Sequence, residues 1–389
     1  MAARVSGIEK SATFAIFDKV RALRTQGVRI LDLGGGEPDF DTPRHIAGEA
    51  AAALAGGFTH YTPSRGTPEL LEAISKKLAD DNGIQAGAAD GIIVTPSAKH
   101  ALHISLLSVL DPGDEVIVPT PSWVSYAAMA QLAGARPVFA ELPADGGFRL
   151  TREVLEAHVT DRTKAVLVNS PNNPTGHVLT EAEARDVTAF AAAHDLFVVS
   201  DEIYEKIRYD GARHISPASL PDGAGRTLTV NGFSKGYAMT GWRLGYVAGP
   251  AEIIGEVLKV QQHTVGCAGS FVQRGAVAAL TGPQDAVAAM AAEYAERRSL
   301  LVDAMNALPG VVCTPPDGAF YAFADIRGTG FERSADFAEW LLTAAGVAVT
   351  PGTAFGPGGE GHIRLSFATS REVLAEAADR MAAALAARP

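Results

Sequence analysis

The chain has 389 residues, 47% hydrophobic and 20% charged, which suits two globular domains and is too apolar for a disordered polymer. Its formal charge of −11 argues against nucleic acid or an anionic membrane surface as the main partner, although local lysines and arginines can still hold small anions. Two cysteines, Cys267 and Cys313, are too few for a disulfide framework, residues 1–13 hold no apolar signal core, and no run is long enough to span a bilayer; a cytoplasmic protein is expected.

In chain order, residues 12–33 read as a helix followed by the strand 28–33, which has no nearby segment to complete it and so is expected to join a lobe built later in the chain. Gly34-Gly35-Gly36-Glu37-Pro38 offers backbone access to a ligand, but its glycine spacing is not the dinucleotide fingerprint. The strand 92–95 leads into a helix near 98–110 with Ser97 as N-cap. A helix start with small residues such as Ala98 is a ready phosphate site. Lys99 in its first turn opposes the helix dipole, which predicts an anion beside it unless the lysine is merely solvated. His100 and His103 share a helix face without a third ligand, so no metal is expected.

The strand 115–118 precedes a helix near 123–134, where Trp123 could stack on a ring ligand or serve as core. After the strand 164–169, the turn 169–176 presents Asn173, a possible donor to a phenolate oxygen. A helix near 180–194 and the strand 196–200 lead to Asp201. A carboxylate there needs a cation or hydrogen bonds: a protonated pyridine nitrogen would serve, with Tyr204 facing the same ligand, and so would a helix N-cap role. The strand 227–231 is followed by Lys235 among small residues and then Arg243, a pattern suited to an amine that joins an aldehyde while the arginine holds an anion; taken alone it suits a solvated loop lysine equally.

A strand at 244–248 and a helix at 251–262 complete the alternation of βαβ units around a mostly parallel sheet, a large α/β domain over 41–285. Beyond it, a helix near 286–307, strands at 319–325 and 362–367 and a helix near 370–387 predict a smaller α+β domain formed by 14–40 and 286–389, preceded by an arm, 1–13. Arg364 lies in the alternating strand 362–367, and facing inward it would suit a bidentate carboxylate contact.

Taken in order, these segments resemble the class I aminotransferases of fold type I, which use pyridoxal 5′-phosphate, over nearly the whole chain. The resemblance implies that Lys235 joins the cofactor aldehyde as a Schiff base and later moves the proton at the substrate Cα. It implies Asp201 as partner of the ring nitrogen, Asn173 and Tyr204 at the ring oxygen, and Trp123 against the ring. Ser97, Ala98 and Arg243 would hold the phosphate, joined by Tyr61 from a neighbouring subunit, hence a homodimer with shared sites. Arg364, with Gly36, would take the substrate α-carboxylate.

The closer resemblance is to the bacterial aspartate and prephenate aminotransferase branch, carried by Glu9-Lys10-Ser11-Ala12-Thr13, by 36–43 and by Ala238-Met239-Thr240-Gly241-Trp242-Arg243-Leu244-Gly245. There Lys99 would meet a distal carboxylate, assisted by Thr13. Two positions depart from the pattern: Gly232 stands where many relatives have a phosphate-binding serine, and 262–270 lack the usual Ser/Thr-Asn-Pro, which would admit a bulkier or less acidic side chain. The expectation is a ping-pong transamination from aspartate to a 2-oxo acid such as 2-oxoglutarate. The alternatives are prephenate, aromatic or neutral substrates, or a lyase or cyclase on the same fold; a regulator would need a DNA-binding extension.

Overall fold

The computed structural model describes the backbone of residues 3–8 and 12–388; the side chains of residues 3, 4 and 12–18 lie outside the description. Seven segments form one sheet: β1 (Ile92–Thr95), β2 (Glu115–Thr120), β3 (Arg136–Glu141), β4 (Thr163–Asn169), β5 (Phe197–Asp201), β6 (Thr227–Gly232) and β7 (Gly245–Ala248). Their spatial order is β1-β7-β6-β5-β4-β2-β3, and all run one way except β7, which is antiparallel to both neighbours.

The central strands read as continuous apolar runs because helices cover both faces. Val116, Leu167, Val199 and Val230 pack with the helices Ala98–Val109 and Ala251–Thr264, while Ile117, Val166 and Val198 pack with Glu181–Ala193 on the other side. That last helix begins on a full capping box, Thr180 with Glu183. Strand β3 escaped the sequence reading because it is a half-exposed edge strand that contains Pro137. The helices Arg44–Ala55, Pro68–Asn82 and Ser270–Thr281 were also unread; they build a cluster around Ile46, Leu70, Ile74 and Ala276.

A second body packs against the carboxyl edge of this sheet. Its antiparallel strands β8 (Tyr321–Asp325) and β9 (His362–Ser366) are joined by the short strand Thr350–Pro351. The helices Asp285–Asn306 and Arg371–Ala386 enclose Tyr294, Leu301, Phe320, Leu365 and Leu374 with them. The expected strand 28–33 shrinks to Leu31–Asp32, since its parallel partner, Val347–Ala348, is itself only two residues long. Beyond that pair, Ser366 N donates to Leu33 O (2.7 Å), which draws residues 34–36 alongside β9. Among the described residues no helix is long and apolar enough to cross a membrane.

A buried polar knot anchors the segment after β5. Lys77 Nζ pairs with Glu205 and donates to Asn82 Oδ1 (2.6 Å), Asn82 Nδ2 donates to Glu205 (2.8 Å), and Ser216 Oγ donates to Glu202 (2.6 Å). Burial pushes the Glu205 carboxyl up, but Lys77 and His214 outweigh it and hold it at about 2. Glu202, Glu205 and His214 bring ligand atoms within 4.8 Å of one another, yet the lysine already supplies the positive charge a metal would bring. Removing one member of a buried ion pair leaves the other uncompensated, at a typical loss of about 3–5 kcal/mol. Lys77→Met should therefore lower the denaturant midpoint sharply, and adding Glu205→Gln should restore part of the loss.

Candidate active site

All six like-directed strands of the large sheet end at one edge, and antiparallel β7 begins there. The edge opens into a cavity of about 310 Å³. Ser97, Ala98 and Lys99 reach it beyond β1, Trp123 beyond β2, Asn169 and Asn173 from β4, Asp201 from β5, and Ser234 and Lys235 beyond β6. Because β7 is reversed, the residue before it, Arg243, arrives at the same edge with its backbone in the left-handed region (φ 55°). Gly232 and Gly245 face each other across β6 and β7. A Cβ on Gly245 would overlap the backbone of Ser97 and Ala98, so glycine is what lets the helix start lie against β7. The smaller body closes the cavity with Gly36, Tyr321 and Arg364.

Lys235 Nζ donates to Gly36 O. Burial lowers this amine to about 8; Arg243 and Arg364 push the same way, against Glu37 and Asp201. Asp201 is 3% exposed and accepts hydrogen bonds from Tyr126 Oη (2.8 Å) and Ile203 N (3.2 Å). Burial still pushes its carboxyl up to about 6, because the two donors offset desolvation only in part. Burial raises the Tyr126 and Tyr204 phenols well above their ordinary value, so both stay protonated. Among the described residues, Lys99, Lys235, Arg243 and Arg364 line the cavity against a single lining carboxylate, Asp201: an anion site in an acidic chain.

Arg364 is 2% exposed on β9, donating from Nη1 to Asn173 Oδ1 (3.0 Å) and from Nη2 to Gly34 O (2.6 Å), while its buried Nε has no hydrogen-bond partner among the described residues. Lys99 Nζ lies 4.8 Å from the centre of the Trp123 ring, and burial, then Arg243, lowers its pKa. Ser97 caps its helix by accepting from His100 N (3.1 Å).

The cavity thus gathers Gly36, Ser97, Ala98, Lys99, Trp123, Asn173, Asp201, Tyr204, Lys235, Arg243 and Arg364 from distant parts of the chain. Tyr61 stands apart, 97% exposed and outside the lining, as do residues 262–270. Thr13 lies in the first turn of the helix Ala12–Thr25, and its side chain lies outside the described residues. Sequence reasoning missed Tyr126, Asn169, Thr240 and Tyr321, which all line the cavity. For Tyr126 a signal existed: it follows Trp123 by one helical turn. Tyr321 had none, since a tyrosine in an apolar strand reads as core.

Residues 28–381 match the family described as aminotransferase class I and II. The chain is 51% identical to an aspartate aminotransferase of Musicola paradisiaca, covering 99% of this chain and 96% of that one. It is 43% identical to an aromatic-amino-acid aminotransferase of Thermococcus litoralis, covering 92% of each. The solved structure of aspartate aminotransferase from Thermus thermophilus with maleate superposes with a TM-score of 0.94 at 42% identity, covering 99% of both chains.

The Tyr126 hydroxyl is the closest donor to Asp201. A hydrogen bond to a charged group typically contributes about 1.5–3 kcal/mol. Tyr126→Phe should therefore raise the Asp201 titration midpoint above about 6 by roughly one to two in pH, read in the cofactor-free protein as the infrared carboxyl band absent from Asp201→Asn.

Proposed function

The chain belongs to the class I and II aminotransferases, enzymes that use pyridoxal 5′-phosphate, and we propose that its donor is a dicarboxylic amino acid, aspartate first, and its acceptor a 2-oxo acid such as 2-oxoglutarate. The donor set of the cavity fits the cofactor: a desolvated amine, a buried carboxyl, protonated phenols, an indole face, and cations beside a helix start. Asp201 would meet the ring nitrogen, Asn173 and Tyr204 the ring oxygen, and Trp123 the ring face. Ser97, Ala98 and Arg243 would hold the phosphate. When bound, pyridoxal 5′-phosphate supplies an aldehyde for the amino group and a ring that takes up the charge left at Cα.

The residues of the chain do the rest. Lys235 Nζ takes the proton from the substrate Cα; at about 8 its pKa sits near the working pH, where a base is most effective. Asp201 must stay ionised to favour a protonated ring nitrogen. A cation opposite it draws its pKa down, and the Tyr126 hydroxyl acts in the same sense. Arg364 receives the α-carboxylate as the cation that the smaller body brings to the cavity; once seated, the acid would be fixed relative to Lys235.

The observation that carries the substrate reading is Lys99. It is a cation in the first turn of a helix at the cavity lining, exposed in this single chain, beside Arg243 and without a carboxylate partner among the described residues, where a distal carboxylate would relieve it. The aspartate aminotransferase relatives support the same choice. The exposed ring of Tyr61 and the absence of 262–270 from the cavity lining support a homodimer in which a second copy completes each site. Two free cysteines, one of them buried, support a cytoplasmic, reducing setting.

Screening single amino acids against the cofactor-loaded protein by absorbance should show aspartate and glutamate consuming the cofactor band fastest. Lys99→Ala should slow aspartate by about tenfold more than alanine; equal losses would exclude the distal-carboxylate role and favour an aromatic or neutral donor. Lys235→Ala should lower turnover at least about a thousandfold, and near-normal rates would remove the lysine from the reaction.

A further inference from the structure

Tyr321 lies where the two bodies meet, 1% exposed on β8, with a ring and a hydroxyl engaged in different directions. The Arg364 guanidinium sits over its ring, 4.4 Å from the centre. Its hydroxyl is 2.9 Å from the hydroxyl of Tyr204, whose ring meets it edge-on. A Cβ on Gly36 would come within 3.2 Å of that hydroxyl, so the same residue also fits under the backbone that accepts from Lys235.

We infer that Tyr321 is a positioning residue for the transamination: its ring seats the Arg364 guanidinium and its hydroxyl donates to Tyr204. The inference rests on the proposed role of Tyr204 at the cofactor ring oxygen. In that role Tyr204 spends its own proton on the cofactor, so in the tyrosine pair Tyr321 must be the donor. A hydroxyl that accepts a hydrogen bond is itself a stronger donor, so Tyr321 strengthens the contact Tyr204 makes. The ring works separately, through the attraction between a buried arginine and an aromatic face. One side chain therefore connects the group that takes the substrate carboxylate with the group that tunes the cofactor. The other charged or titratable groups that act on the tyrosine pair, besides Arg364, are Asp201 on β5, Tyr126 behind it, and Tyr294 on the helix Asp285–Asn306.

The test uses the holoenzyme, titrating the absorbance of bound pyridoxal 5′-phosphate against pH and measuring KM and kcat with aspartate and with alanine. Losing the Tyr321 hydroxyl weakens the bond that favours the charged ring oxygen, so the bound cofactor holds its proton more tightly. Tyr321→Phe should raise the titration midpoint by roughly 0.5–1 in pH and leave KM within about threefold. Tyr321→Leu should raise the midpoint equally and also raise KM about tenfold for both amino acids, because the carboxylate they share depends on the seated arginine. In a Tyr204→Phe background, Tyr321→Phe should move the midpoint no further.

An unchanged midpoint in Tyr321→Phe, or a shift that persists without the Tyr204 hydroxyl, would overturn the inference. Failure of the underlying site reading looks different: the wild-type holoenzyme would then show no pH-dependent band that Lys235→Ala removes. An unchanged KM in Tyr321→Leu would overturn the role of the ring; should that variant not fold, Tyr321→Met, which also lacks the ring, takes its place.

Discussion

Everything at this site depends on burying opposite charges at one edge of one sheet. An amine and a carboxylate taken out of water each shift toward neutrality, and here both move toward the middle of the pH scale, Lys235 down to about 8 and Asp201 up to about 6. Neither value belongs to the residue itself. Both follow first from burial beyond strand ends whose backbone is already paired within the sheet; Arg243 and Arg364 add to the drop at Lys235, whereas Lys235 itself works against the rise at Asp201. With four lining cations and one lining carboxylate among the described residues, the cavity favours an anionic ligand with one cationic nitrogen, the combination offered by a protonated pyridine that carries a phosphate.

The reversed strand β7 makes the arrangement possible. Were it parallel, Arg243 would leave from the opposite edge, far from Lys235. Its antiparallel course returns the chain to the carboxyl edge, and Gly245 lets the returning backbone lie against the helix start at Ser97 and Ala98. Beneath the same edge, the knot of Lys77, Asn82, Glu205 and Ser216 fixes the segment between Asp201 and Ile207, so that Tyr204 is held from below while Tyr321 meets it from above. The site is therefore supported by two bodies at once, and movement of the smaller one would carry Arg364, Tyr321 and Gly36 together.

Much of this was legible in the chain. The alternation of apolar runs and helical stretches announced the large sheet, since a strand buried on both faces can hardly be other than apolar. Ser97, Asp201, Lys235 and Arg243 could be singled out because each follows or precedes such a run, and parallel strands deliver their following residues to a common edge. Lys99 was legible through its conflict with a helix dipole. Less visible were β3, whose exposed edge position leaves a weak apolar signal, and the helices Arg44–Ala55, Pro68–Asn82 and Ser270–Thr281, which fill in around the sheet.

The sequence by itself determined which side chains stand at strand ends and what chemistry they carry, because periodicity and local electrostatics are properties of neighbouring residues. Only the tertiary structure decided that β7 runs backwards, that Arg364 meets Asn173 from a different body, and that Tyr126 and Tyr321 support Asp201 and Tyr204. Those contacts join residues far apart in the chain. Their partners are chosen by the packing of whole elements, which no local pattern encodes.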